Sequence, residues 1–189
     1  MRRRPLVPRA HWEAQAAQHG FAFHTLDGAP YWDERACYLF TLAQVERDIE
    51  DATQELHAMA LDLVDAVCAS EALMYRLHVP RDYRDWIATS WRRRDPHLYG
   101  RMDLAYDGRG PAKLYEFNYD TPTALYEAAY FQWLWLEDRI ADGTLPAGAD
   151  QSNGLQEAIV EAFGAMARER RLRLPLHFAA HDGHAEDGG

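Results

Sequence analysis

Eight apolar side chains recur at alternating three- and four-residue steps in the first half of the chain: Leu42, Val45, Ile49, Ala52, Leu56, Met59, Leu63 and Ala66. Only a helix gathers residues so spaced onto one side, so the repeat predicts an amphipathic helix of about seven turns. Thr41 is placed to cap its first turn. A coiled-coil dimer is the alternative use of such a stripe. About three and a half heptads with two alanines in the seam favour packing within the chain instead.

The rest of the chain divides into shorter elements around this helix. Residues 9–19 form an Ala/Gln-rich helical stretch that Gly20 ends. The aromatic residues Phe21, Phe23, Tyr31 and Trp32 flank an Asp27-Gly28 turn. A second helix is expected from Asp82 to Arg94, opened after Pro80 and stopped by Pro96. Its closing Arg92-Arg93-Arg94 is first a partner for the negative end of the helix dipole. From Leu98 the pattern alternates to Tyr106, breaks at Asp107-Gly108-Arg109-Gly110-Pro111, and alternates again from Lys113 to Asp120, which predicts a β-hairpin. Thr121-Pro122 then supplies a cap and a first-turn proline for a helix running to about Asp138. That helix carries Tyr126, Tyr130, Phe131, Trp133 and Trp135, a set that at helical spacing reads as core. After a Gly/Pro linker, residues 151–171 are expected to be helical, and 174–180 to be a strand.

The hairpin is where chemistry concentrates. Arg101 and Asp103 point to one face of the first strand, and Glu116, Asn118 and Asp120 to one face of the second. One register sets Asp103 opposite Glu116 and Arg101 opposite Asn118 together, a square whose Cβ atoms face each other ~5 Å apart. A slip of one residue would send the two halves to opposite faces. Two facing carboxylates repel unless neutralised, and Arg101 does part of that. Hard Mg²⁺ prefers carboxylate and amide oxygens and completes its shell with phosphate. An adjacent arginine would grip the same phosphate, and the following helix start would offer N–H groups and hydroxyls to a further anion. These parts describe phosphoryl transfer or phosphate-activated ligation. A solvated hairpin face with two cross-strand ion pairs accounts for the same residues without chemistry.

The motifs Tyr99-Gly100-Arg101-Met102-Asp103, Glu116-Phe117-Asn118-Tyr119-Asp120-Thr121-Pro122-Thr123 and Phe131-Gln132-Trp133-Leu134-Trp135-Leu136-Glu137-Asp138 resemble those of the glutathionylspermidine synthase family. Pro30-Tyr31-Trp32 and Thr41–Glu46 are similar to its N-terminal part, and the resemblance runs from about His11 to the final glycines. It implies a permuted ATP-grasp carbon–nitrogen ligase, which activates a carboxylate with ATP as an acyl phosphate for attack by an amine. By match to the family motif, Asp103, Glu116 and Asn118 correspond to Mg²⁺ ligands and Arg101 to the arginine that stabilises the transferring phosphoryl group. Thr121 and Thr123 fall where the family places hydroxyls near its thiol-peptide substrate. The implied cofactors are Mg²⁺ and ATP, the latter as co-substrate. The implied substrates are a glutathione-like acid and a polyamine-like amine.

Members of that family run to about twice the 189 residues here, and the lysines and lid that hold ATP lie in their later half. Lys113 is the single lysine of this chain. The expected class is therefore α/β (α+β), the N-terminal half of an incomplete permuted ATP-grasp enzyme. Its expected parts are a mainly helical region (1–95), a hairpin and helix carrying the Mg/phosphate motif (96–140), and a linker, helix and first strand of a pre-ATP-grasp α/β unit (141–189). A fragment of this kind is expected to be inactive alone and to need a complementing C-terminal half. The alternative is a non-catalytic binding or structural protein derived from the family.

Composition narrows the setting. Thirty acidic against 20 basic residues give a net charge of −10, which disfavours nucleic acid. No apolar run approaches the ~18 residues of a membrane span. Met1-Arg2-Arg3-Arg4 has the charge of a secretion signal, but Pro5, Pro8, Arg9 and His11 occupy its apolar segment, so a cytoplasmic protein is expected. Cys37 and Cys68 show no metal or redox spacing and read as packed thiols in helix-like contexts. His177, His181 and His184 match no standard zinc arrangement.

Overall fold

A computed structural model of the chain describes residues 1–120, 123–170, 175 and 177. The chain divides into two compact units, one of Met1–Leu42 with the chain from Tyr119 onward, the other of Ala43–Asn118. The described elements are small antiparallel sheets among helices, a mixed α and β architecture.

In the first unit, β1 (Arg2–Pro5) pairs antiparallel with β4 (Ala36–Leu39), and α1 (Trp12–Gln18) follows β1. The end of α1 is a Schellman turn: Gly20 at φ +77° donates to the Ala17 carbonyl at 3.3 Å, and Phe21 to that of Ala16 at 2.8 Å. This folds Phe21 back onto Ala16, and both are fully buried. Asp27 and Gly28 both take positive φ, the requirement of a two-residue turn, and join β2 (Thr25–Leu26) to β3 (Ala29–Pro30). Phe21 is the hub of the core, with ring centroids 4.7 Å from both Phe23 and Phe131, edge to face in each case. Trp12, Trp32, Tyr126 and Leu134 pack around this cluster.

Phe131 comes from the aromatic helix, which begins at Leu125, runs through a π-helical segment Glu127–Phe131, and continues as α5 (Gln132–Ala141). It starts three residues later than the proline signal predicts, because Ala124 takes φ +71°, which no helix tolerates. Thr121 and Pro122, the expected cap and first-turn residue, lie outside the described residues. Phe131 and Leu136 are buried as expected of a core face, whereas Trp133 is 44% exposed. The last described helix, α6, spans Leu155–Arg170. Of the strand expected over 174–180 only Pro175 and His177 are described, and neither is in a strand; the rest of it, with His181 and His184, lies outside the described residues.

All of the long helix but its first residue, Leu42, belongs to the second unit. It runs from Leu42 through a π-helical segment Gln44–Glu50 into α2 (Asp51–Cys68), followed by α3 (Glu71–Arg76) and α4 (Arg81–Arg93). Its expected stripe is only half right. Val45, Ile49, Ala52 and Leu56 are buried or half-buried, but Met59 and Leu63 are about 60% exposed and Leu42 more so. The inward face continues instead through Ala60, Leu61, Val67 and Cys68. A strict 3.5-residue repeat turns by ~20° per heptad around a straight helix, and the widened π-helical turns at Gln44–Glu50 add to that offset, so the stripe does not follow one packed side along the whole helix. Arg94 takes the left-handed conformation that ends α4, and Arg92 and Arg93 occupy its last turn, where the dipole favours them. Cys68 ends α2, but Cys37 lies on strand β4 rather than in a helix; both thiols are free and half-buried. Among the described residues no helix is long and apolar enough to cross a membrane.

Candidate functional site

The hairpin forms as β5 (Arg101–Ala105) and β6 (Lys113–Asn118), slightly shorter than the alternation suggests. Its register is the expected one where it matters: Arg101 faces Asn118 and Asp103 faces Glu116. Beyond Asp103 the ladder shifts by one residue, so that Leu104 faces Leu114 and Tyr115 is the extra, bulged residue. Alternation alone carries no sign of that bulge.

The four side chains form one connected polar cluster. Arg101 binds Asp103 with both arms of its fork, Nε to Oδ1 at 2.8 Å and Nη2 to Oδ2 at 3.3 Å. Asn118 Nδ2 donates to Glu116 Oε1 at 2.8 Å and to Asp103 Oδ2 at 3.4 Å. The hydrogen bond that Arg101 donates to Asp103 holds its guanidinium more firmly protonated than usual. The cluster is half open, with Arg101 at 30% and Asp103 at 41% side-chain exposure.

Two facing carboxylates and an amide are hard oxygen donors of the kind Mg²⁺ accepts. Among the described residues no group of three or more His, Cys, Asp and Glu stands together as a metal cage. Two carboxylates are, however, the small share of ligands a protein gives Mg²⁺ when phosphate and water complete the octahedron. Asn118 presents its nitrogen to both carboxylates, and a half-turn of its terminal amide would present oxygen instead. The donor set fits the ion. Of the expected substrate-contacting residues, Thr123 is exposed and belongs to the other compact unit, while Thr121 lies outside the described residues.

Three residues around the hairpin's turn escaped the sequence reading. Asp48, in the π-helical segment, accepts the Tyr106 hydroxyl on Oδ2 at 2.6 Å and the Ala112 N–H on its backbone oxygen at 2.6 Å. Gln44 Nε2, four residues earlier, donates to the Gly108 carbonyl at 2.9 Å. Burial and the Asp48 carboxylate push the Tyr106 phenol up to about 12. The only local signal was two polar residues four apart beside an apolar stripe.

Residues 3–189 match the family described as Glutathionylspermidine synthase preATP-grasp. A Haemophilus influenzae protein named as an acid–amine ligase is 39% identical over 175 residues, which are 90% of this chain and 42% of that protein. The bifunctional glutathionylspermidine synthetase/amidases of Escherichia coli and Shigella flexneri are each 33% identical over 135 residues, 70% of this chain and 20% of theirs. The chain thus spans less than half the length of the curated relatives it matches.

Proposed function

The chain belongs to the glutathionylspermidine synthase pre-ATP-grasp family, and from that membership we propose that it is the N-terminal part of an ATP-dependent acid–amine ligase. The family and the names of its relatives support a ligase-type function. The proposal adds the reaction course, the substrates and the residue roles. One oxygen of a substrate carboxylate attacks the γ-phosphorus of ATP, ADP departs, and an acyl phosphate forms. An amine nitrogen then attacks the acyl carbon, the carbon–oxygen bond to phosphate breaks, and the amine loses a proton as inorganic phosphate leaves. The acid is glutathione-like and the amine polyamine-like.

Asp103, Glu116 and Asn118 would hold Mg²⁺, which supplies electrostatic stabilisation of charge on the transferring phosphoryl oxygens. Arg101, held by its two bonds to Asp103, would set its positive charge against a phosphoryl oxygen. The bulged strand β6 keeps Glu116 on the same face as Asn118. Thr121 and Thr123 supply hydroxyls to the acid substrate, and the remainder of the ligase supplies the lysines and lid that enclose ATP.

The observation that supports this most is the register that sets Asp103 across from Glu116 and Arg101 across from Asn118. A complete ligase containing this chain, given Mg·ATP, a glutathione-like acid and a polyamine, is expected to release ADP, and Glu116→Ala to abolish the release. Unchanged release in that variant overturns the metal assignment. The 189-residue chain alone is expected to show no turnover.

A further inference from the structure

The β5–β6 hairpin is a two-stranded sheet with no third strand among the described residues. Such a ribbon is at best marginally stable by its own hydrogen bonds and side-chain pairs. It is also ambiguous in register. On the turn side, Ala105 faces Lys113 and Leu104 faces Leu114; carried straight on, that alignment would set Asp103 against Tyr115 and Arg101 against Phe117. The bulge at Tyr115 prevents this and restores the pairing of Asp103 with Glu116. Something must hold the turn-side ladder in place so that the bulge has a fixed position.

Tyr106 and Ala112 are the next two residues on the turn side, one directly after β5 and one directly before β6. Both bind Asp48, Tyr106 through its hydroxyl to the carboxylate and Ala112 through its N–H to the main-chain oxygen. Asp48 therefore grips both strands at one level. Gln44 grips the turn above them through Gly108. The residues that do this lie in a π-helical segment, a widened turn that recurs at functional sites. Ala112 is 6% exposed, so its N–H has little access to water as a substitute acceptor.

We propose that Asp48, with Tyr106 and Gln44, is a positioning residue for the candidate metal site: it clamps the turn end of the hairpin and so fixes the register that brings Asp103 opposite Glu116. This rests on the metal-site proposal for its consequence, but not for the clamp itself. Asp48 touches neither metal nor phosphate; it acts through the ladder.

The test uses the 189-residue chain and two independent readouts: cross-strand nuclear Overhauser contacts of Asp103, and Mn²⁺ affinity from paramagnetic relaxation. In Asp48→Ala and Tyr106→Phe, the Asp103–Glu116 contact is expected to weaken in favour of Asp103–Tyr115. Mn²⁺ affinity is expected to fall about ten-fold, the usual effect of losing a residue that orients metal ligands. Asp48→Asn, which still offers an oxygen to Tyr106, is expected to restore both. Tyr106→Phe removes a single hydroxyl, so it decides the matter if Asp48→Ala does not fold. Wild-type contacts and wild-type affinity in these variants overturn the clamp. Glu116→Gln separates the two proposals: if it binds Mn²⁺ as the wild type does, the metal assignment fails, and the Asp103 contacts alone decide the clamp.

Discussion

Two clusters of arginine and carboxylate, built from the same chemistry, stand in opposite environments in this chain. In the first unit Arg9, Glu34 and Arg139 are buried, with side-chain exposures of 7%, 0% and 6%. In the hairpin, Arg101 and Asp103 are 30% and 41% exposed. Glu34 has every lone pair occupied: Arg9 binds it through Nε, Nη2 and the backbone N–H, Trp32 donates at 3.0 Å, and Arg139 lies 3.7 Å away. Arg9 reaches on to Gln15 and Asp138, and its guanidinium lies over the Phe131 ring at 5.8 Å. Such a group has no capacity left for a ligand. The hairpin cluster keeps its oxygens near solvent and its charges only partly matched. Burial around a Glu34 whose oxygens are fully engaged makes the first cluster structural, with Arg139 Nε left without a partner among the described residues, and half-exposure keeps the second within reach of solvent.

The sharpest way to break that contrast is to delete one charge from each. Glu34→Ala removes the one buried counter-charge shared by two guanidinium groups and leaves them only the half-exposed Asp138 and Asp142, which costs up to about 3–5 kcal/mol of stability. Arg101→Ala removes a partner from a half-exposed pair, where the expected loss is below about 1 kcal/mol. Urea unfolding of the two variants measures both. Equal losses would show that the hairpin cluster is as structural as the buried one.

A smaller effect separates the hairpin from its clamp. The Tyr106 phenol, raised above the ordinary 10.0 to about 12 by burial and by Asp48, is held neutral by the fold. A group whose folded value is raised contributes stability that is complete below its unfolded value and is lost as pH climbs through the folded one. The second unit is therefore expected to lose stability between about pH 10 and 12. Burial also raises the Tyr119 and Tyr126 phenols, so the late phenolate absorbance that disappears in Tyr106→Phe identifies the tyrosine in question. In Asp48→Asn that tyrosine should move down part of the way, because burial remains when the charge is gone. Late absorbance unchanged in Tyr106→Phe would place Tyr106 away from Asp48.

How much of this was legible in the sequence follows from distance along the chain. Period-two alternation in residues 98–120 revealed both strands, and the rule that partners must share a face selected the pairing of Asp103 with Glu116. The bulge at Tyr115 was not legible, since both registers satisfy the same alternation on either side of it. Asp48 is 58 residues from Tyr106, and Glu34 is 25 from Arg9 and more than a hundred from Arg139. No local pattern encodes such pairs, because they arise only when packing brings the elements together. The Phe21–Phe131 contact is equally long-range, although the helical spacing of its aromatics marked the second segment as core. Conversely, the start of the aromatic helix was misplaced because the Thr-Pro signal is local, while Ala124 adopts a conformation that only the surrounding fold sustains.

The apolar counterpart of the same contrast gives the smallest predicted effect. Leu63 belongs to the heptad stripe by spacing, yet it is 59% exposed on α2. If the stripe were a buried seam, truncating it would empty a packed site at a cost of about 2–5 kcal/mol. With the observed rotation, Leu63→Ala removes mainly solvated surface and adds a better helix former. The expected change is then within about 0.5 kcal/mol of zero. Leu56→Ala, seven residues earlier and on the inward face, should cost visibly more. The ratio of the two losses reads the rotation of the helix directly: near unity for a straight heptad seam, and large if the inward face passes through Leu56 and Ala60 but turns away from Leu63.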